Sequence, residues 1–421
     1  MLQPARMLFN QGFTDAGYHR LLADLAATSG MEVGFRVAET PVFLSHAFLE
    51  ELAEAGARLT RKLLADGEYL RRADDAIPAG WRADGDSAHP NFLAADFALV
   101  RDDRGALHPR LVEIQGFPSL YGFQPQLAES YKRVFDLPAE LRIFLGGLNR
   151  DSYWQLLRRT IVGSHDPAEV VLLELDPLHQ KTAPDFVATV RELGIGLVDV
   201  REVMPRGNEL CYRDASGRLV AIRRIYNRVI ADELIAKGVQ PSFDWQAAWD
   251  VEWAGHPNWY FLISKYSLPW LNGDPVVPPS VFLHEFLAGP GAEELAASGV
   301  EVPKGQDPVY HGLLLKPLFS FAGKGIRFSP RRSELLAIAP QSRPGYLLQQ
   351  RMDFEKTIFT PEGPTQPEIR ILYLWPGDGA LTPVLPLIRL GRGQMMGVDH
   401  NRDLRWVGAS AALIHDPDLA I

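Results

Sequence analysis

Along residues 45 to 73, "SHAFLEELAEAGARLTRKLLADGEYLRRA", apolar side chains recur every three or four positions, the spacing of one or two amphipathic helices. The period changes at residues 91 to 117, "NFLAADFALVRDDRGALHPRLVEIQGF", which reads strand–turn–strand about "DDRG". "QPQLAESYKRVF" returns to helical spacing. At residue 168 a new lobe begins: "AEVVLLELDP" is a strand-like run stopping at Asp-Pro, "DFVATVRELG" a helix ended by glycine, and "IGLVDV" a second strand. Such a βαβ unit implies parallel strands with a ligand edge at their ends. "GRLVAIRRIYNRVI" adds a further strand pair, with Arg224, Asn227 and Arg228 among its aliphatics. After "HPNWYFLISKYSLPWLNG", the segments "GLLLKPL", "GKGIRF", "GYLLQQRMDF", "PEIRILYLWPGDGALTPVLPLIRL" and "QMMGVDHN" read mostly as strands with tight turns. The expected architecture is therefore α/β plus α+β, with mixed and antiparallel sheets. Its three segments are a helical and hairpin lobe (1–165), the βαβ lobe (166–255) and a mainly antiparallel remainder (256–421).

Several lobes suit a chain of 421 residues, which exceeds what one core usually supports. A net charge of −9 argues against a nucleic-acid backbone as partner, because that contact needs a basic face. The single cysteine, Cys211, excludes an intrachain disulfide and a multi-cysteine metal cluster, and its strand-like setting reads as a buried thiol. The start "MLQPARMLFNQGF" lacks a signal-peptide core, and no run approaches a membrane span. A cytoplasmic protein is the expectation. His256, His284 and His311 lack ligand spacing and read as structural.

Chemistry concentrates in two places. In "LLLKPLFSFAGKGIRF", Lys316 ends a buried strand and Gly323 and Gly325 flank Lys324. Glycines let backbone N–H groups approach an anion, and lysine adds a point charge. No Ser or Thr follows Gly-Lys and no helix follows the loop, so it fits neither the Walker loop nor the dinucleotide fingerprint. It reads as a flap over phosphates; a plain hairpin with solvated lysines fits the same residues. Downstream, "YLLQQ" places Gln349 and Gln350 at the end of an apolar strand, as donors and acceptors for adenine or as surface amides.

The second place is the 91–117 hairpin. A regular ladder about Arg104 and Gly105 sets Asp96 opposite Glu113, with Gln115 two residues on. Opposed like charges destabilise a ladder. A divalent cation held by Asp96, Glu113 and the Gln115 amide oxygen would resolve the conflict, since hard oxygen ligands suit Mg²⁺; solvated edge carboxylates are the other reading. Pro109 is the residue able to break that register.

In this order the pieces resemble the ATP-grasp superfamily, in particular the circularly permuted branch typified by glutathionylspermidine synthetase. Asp96, Glu113 and Gln115 stand where that family has an Asp, a Glu and an Asn as magnesium ligands. Lys265 of "ISKYSLPWL" and Lys316 resemble its two ATP-binding lysines, with Gly323, Lys324 and Gly325 as the flap and "YLLQQ" as the adenine strand. "PLIRLGRGQMMGVDHN" resembles its late strand pair. The similarity runs from about residue 90 to the end. Departures are Gln115 for Asn, Ala94 where the synthetase carries an arginine, and no amidase domain with its nucleophilic cysteine. The resemblance implies a ligase that uses ATP and Mg²⁺ to activate a small carboxylate as an acyl phosphate, which a small amine then attacks. It also calls for a further cation near the transferred group. Arg370, which shares a strand face with Glu368, is the first candidate, followed by Arg389, Arg392 and, for a substrate acid, Arg228; a surface cation or a structural ion pair is the other reading of each. Two other readings keep the fold: a non-catalytic ATP-binding protein, motivated by Gln115 and Ala94, and a phosphotransferase.

Overall fold

The computed structural model of the chain describes residues 3–85, 87–320, 323–394, 396 and 403–415. Its central sheet has six strands in the order Val42–Ser45, Gly408–His415, Thr382–Gly391, Gln366–Leu374, Phe92–Arg101 and Leu107–Gln115. The first pair is parallel and the others are antiparallel. One sheet thus unites strands from the first and last of the three sequence segments.

Alternation along Phe92–Arg101 explains how this sheet is covered. Leu93, Ala95 and Phe97 enter one core with Leu49, Leu52 and Leu59 of the helix His46–Ala65. Phe92 and Ala94 enter another with Phe123 and Leu127 of helix Phe123–Val134 and Leu157 of helix Arg150–Ile161. Asp96 comes next in that second series, so this face turns from apolar to charged along its length.

The hairpin register is as the sequence suggests at the point that matters. Asp96 pairs with Glu113 and Ala94 with Gln115. The ladder is not regular, however. It shifts by one residue between Asp96 and Phe97, leaving Val112 as a bulge, while Pro109 stays in place opposite Leu99.

The βαβ unit forms a second, four-stranded parallel sheet, ordered Glu252–Ala254, Arg224–Asn227, Val170–Glu174, Gly196–Asp199. Its crossover helix Ala183–Leu193 ends at Gly194, whose φ of 72° is left-handed and suits glycine. The two strands expected in "GRLVAIRRIYNRVI" both exist but do not pair with each other. Leu219–Ile222 belongs to a three-stranded antiparallel sheet with Met204–Arg206 and Glu209–Arg213, whereas Arg224–Asn227 joins the parallel sheet. The split falls at Arg223, which turns aside to Glu209 and Asp250 at 2.8 and 2.7 Å.

A third antiparallel sheet, ordered Ser280–Phe282, Tyr346–Gln350, Leu313–Pro317, Arg327–Phe328, carries the flap. The expected strand "QMMGVDHN" lies largely outside the described residues. The strand Gly408–His415, which the sequence pattern did not reveal, closes the central sheet against Val42–Ser45. Cys211 is buried and free. Among the described residues no helix is long and apolar enough to cross a membrane.

Helix His46–Ala65 approaches the central sheet closely at Gly56. A Cβ there would lie 2.3 Å from the Tyr373 hydroxyl, which donates to the Ala53 carbonyl at 2.8 Å. Gly56→Ala is therefore expected to lower unfolding free energy by about 1–3 kcal/mol despite alanine's better helix propensity, as overpacking does. Urea denaturation measures it; a stabilised variant would contradict this contact.

Candidate active site

One rung of the central sheet carries the charged group. Glu113, Asp96 and Arg370 lie in register across three adjacent strands. Arg370 clasps Asp96 with two parallel hydrogen bonds, Nε to Oδ1 at 2.5 Å and Nη2 to Oδ2 at 2.6 Å, and its Nη1 donates to the Ser119 hydroxyl at 3.0 Å. Arg389, paired in register with Glu368, donates to Asp96 Oδ2 at 2.6 Å and also contacts the Glu368 carboxylate. Burial works to raise the Asp96 carboxyl, but Arg370 and Arg389 outweigh it and hold it below the ordinary range. Glu368 goes the other way: burial dominates and pushes it up to about 7 despite Arg389. Burial opposes the charge on Arg370, yet Asp96 more than compensates and raises it.

The flap sheet brings the two lysines. In Leu313–Pro317, Leu313 and Leu315 join a core of their own, and alternation turns Lys316 the other way. The residue is 4% exposed, and its ammonium donates to Gln349 Oε1 at 2.6 Å. The bulged Val112 presents its carbonyl 3.5 Å from the same nitrogen. Desolvation lowers Lys316 to about 8, with Glu113 opposing and Lys265 adding to the shift. Lys265 opens a short 3₁₀ turn capped by the Ser264 hydroxyl. Its Nζ donates to the Ser320 carbonyl at 2.6 Å and lies 3.7 Å from Glu113 Oε2. Gln115 donates its amide N–H to the other Glu113 oxygen.

The structure therefore gathers Asp96, Glu113, Gln115, Lys265, Lys316, Gln349 and Arg370, and adds Arg389 and Glu368. Gln350 falls on the opposite face of its strand from Gln349. Gly323 and Gly325, at φ 74° and 76°, form the turn after Lys316 and leave Lys324 exposed. A Cβ on Gly325 would meet Pro317 at 2.8 Å, so glycine is required there on two counts. Arg392 turns to Thr360 and Gly363. Arg228, at the end of the parallel strand Arg224–Asn227, is tied to Asp185 at 2.8 Å, and its Nε is buried without a partner. Among the described residues no hydrogen bond or ion pair links it to the cluster.

A cleft of about 380 Å³, counting its opening to solvent, runs beside the cluster and is lined by Gln115, Phe117, Tyr260, Lys265, Phe319 and Ser320, among others. Tyr260 was missed from sequence; it sits in "HPNWYFLISKY", a stretch with no clear period.

No protein-family model and no curated protein sequence matches the chain. Among solved structures, a glutathione synthetase-like effector from Globodera pallida in its apo form aligns over 97% of this chain and 98% of its own, with a TM-score of 0.54 at 11% identity. The chain shares the fold of this glutathione synthetase-like protein. A chain named as a candidate gamma-glutamylcysteine synthetase from Methylobacillus flagellatus aligns over 84% of this chain and 86% of its own, at 12% identity and a TM-score of 0.36.

Asp96 is the shared counter-ion of two arginines, so Asp96→Ala leaves Arg370 with only the more distant Glu113, at 3.9 Å, and Arg389 with only Glu368. A loss of about 3–5 kcal/mol in unfolding free energy is expected, the range for orphaning a buried pair. Asp96→Asn, which keeps the shape and one acceptor, is expected to lose less. Equal stability of all three proteins in urea would refute this ion network.

Proposed function

We propose that the protein is an ATP- and Mg²⁺-dependent carboxylate–amine ligase acting on small molecules. The observation that carries this reading is a surplus of cations with little access to water. Among the described residues, three carboxylates (Asp96, Glu113, Glu368) face four cations (Lys265, Lys316, Arg370 and the partly exposed Arg389). A surplus charge held away from water is costly unless an anion completes it. The Gln349 Nε2, buried without a partner beside Lys316, is a second incomplete group at the same place.

A nucleoside triphosphate suits both deficits. Lys265 and Lys316 would neutralise phosphate oxygens, and the Gln349 amide would donate to the nucleobase. Mg²⁺ bound with phosphates needs only one or two carboxylates from the protein. Among the described residues no group of three or more His, Cys, Asp or Glu is placed to hold a metal, and both Asp96 oxygens carry arginine bonds. Glu113 and the Gln115 side chain are the oxygen donors left for the ion, while Asp96 orients Arg370 and Arg389. Bound ATP would supply the phosphoryl group that converts a substrate carboxylate into an acyl phosphate. Arg370, fixed by Asp96 and Ser119, would meet the charge that develops during the transfer. The turn at Gly323 and Gly325 would shield the acyl phosphate from water. Arg228, with its free Nε at the parallel-sheet edge, is the candidate for the substrate acid.

The saturation of Asp96 by arginine favours one alternative, an ATP-binding protein without catalysis. Calorimetry separates the two. On the ligase reading, ATP binding strengthens with Mg²⁺, and Glu113→Ala removes at least about tenfold of that gain, or about 1.4 kcal/mol. Screened acids and amines together release ADP and phosphate. Release of AMP and pyrophosphate, or tight binding indifferent to Mg²⁺ and to Glu113, would discard it.

The Lys316 value sets a pH dependence. Its free-protein value near 8 means that above this pH the lysine is neutral and must take up a proton to meet phosphate. ATP affinity is expected to fall as pH rises through 8 toward 10, by up to about tenfold per unit. Lys316→Arg stays charged throughout and should flatten that profile; a parent profile already flat would remove Lys316 from the phosphate site.

A further inference from the structure

The cleft beside Lys265 has a second, aromatic part that the phosphate chemistry does not use. Phe117, Tyr260 and Phe319 line it. Phe117 packs edge-on against Tyr260 at 5.5 Å between centroids, and Phe261 braces Phe319 at 5.2 Å. The Tyr260 hydroxyl donates to Asp232 Oδ1 at 2.7 Å. Asp232 stands in the first turn of the short helix Ala231–Lys237, which follows the parallel strand Arg224–Asn227. This bond therefore joins the parallel-sheet lobe to the wall of the cleft. Burial and then the Asp232 charge keep the phenol protonated far above neutral pH, with Glu113 acting in the same sense. The phenol oxygen is thus neutral, its proton faces a carboxylate, and its lone pair remains available.

We propose that Tyr260, backed by Asp232, is the subsite for the acceptor amine, and that the amine arrives as an alkylammonium. The proposal rests on the ligase reading above and adds the substrate class of its second half. Aromatic faces attract cations, and a tyrosine polarised by a carboxylate is a strong acceptor for an ammonium N–H. The cations of the cluster suit the phosphates and the acid; the aromatic part, under the field of Asp232 and Glu113, suits the opposite charge.

The same pair supplies what amide formation demands. An ammonium has no lone pair, so one proton must leave before attack. That proton passes to Tyr260 Oη as the phenol proton moves to Asp232 Oδ1. The freed amine nitrogen bonds to the acyl carbon, the bond from that carbon to the phosphate oxygen breaks, and the second nitrogen proton leaves with the phosphate. Asp232 afterwards returns its proton to solvent. Tyr260 touches the substrate in this scheme, and Asp232 is a positioning residue that works through it.

The test needs no knowledge of the natural amine. The full chain is saturated with Mg²⁺ and the non-hydrolysable analogue AMP-PNP, and n-butylamine hydrochloride is titrated with n-butanol as the uncharged control. Saturable butylammonium binding in the millimolar range, about tenfold tighter than butanol, is expected. Asp232→Asn and Tyr260→Phe are each expected to erase most of this preference for the cation while leaving AMP-PNP affinity unchanged. A merely structural role would weaken both probes alike. If AMP-PNP binds but butylamine binds no better than butanol, or if both variants keep the preference, the amine subsite is wrong. Failure of AMP-PNP to bind would overturn the ligase reading and this subsite with it.

Discussion

A carboxylate buried between two arginines governs this molecule. Asp96 has no water to turn to, being 1% exposed, so its charge persists only because Arg370 and Arg389 reach it. Those residues come from strands more than 270 positions away, which pairs Phe92–Arg101 with Gln366–Leu374 in one register only. A slip of one residue would point Asp96 into the apolar face occupied by Leu93 and Phe97 and abandon both arginines. That constraint favours the adjacency of Phe92–Arg101, Gln366–Leu374 and Thr382–Gly391, and with it the union of the first and last sequence segments.

The neighbouring strand shows how the same sheet serves a second purpose. Val112 is the extra residue of the bulge, and the bulge lets Leu111 and Ile114 both enter the core below helix His46–Ala65 although they are three positions apart. A strand of period two cannot do this. The displaced backbone turns the Val112 carbonyl toward Lys316 and sets Glu113 between Lys265 and Arg370. Local irregularity here places side chains from two sheets around one point.

This explains which features were legible in the sequence. The hairpin was, because "DDRG" is a strong turn signal and fixes the ends of the ladder close by. Lys316 was, because a lysine at the end of three leucines is an evident anomaly. The bulge left a trace in the spacing of Leu111 and Ile114 that a regular-ladder argument passed over. The arginine clasp left none, since nothing local to Asp96 names a partner so far along the chain. Tyr260 and Asp232 were hidden for a similar reason: each is ordinary in its own segment, and only the packing of the short helix Ala231–Lys237 near Trp259–Leu262 brings them together. The separation of Leu219–Ile222 from Arg224–Asn227 falls at Arg223, whose backbone bonds Glu169 and Glu252 of the parallel-sheet lobe, partners that no local pattern names.

The energetics of the cluster argue for a ligand more strongly than any one contact does. A sheet stabilised for its own sake would pair its buried charges one for one, or replace them with aliphatics at no loss. Here burial pulls the Lys316 ammonium down to about 8, well below the usual lysine range, and Glu368 is drawn toward neutrality beside it. Both shifts mark free energy that folding leaves unrecovered. A polyanion entering beside Lys265 and Lys316 would reverse the first shift directly, because its charge favours the ammonium that burial disfavours. On the proposed ligase reading, the cost carried by Lys316 would then become binding energy for the nucleotide, where stabilising a transferred phosphoryl group needs it.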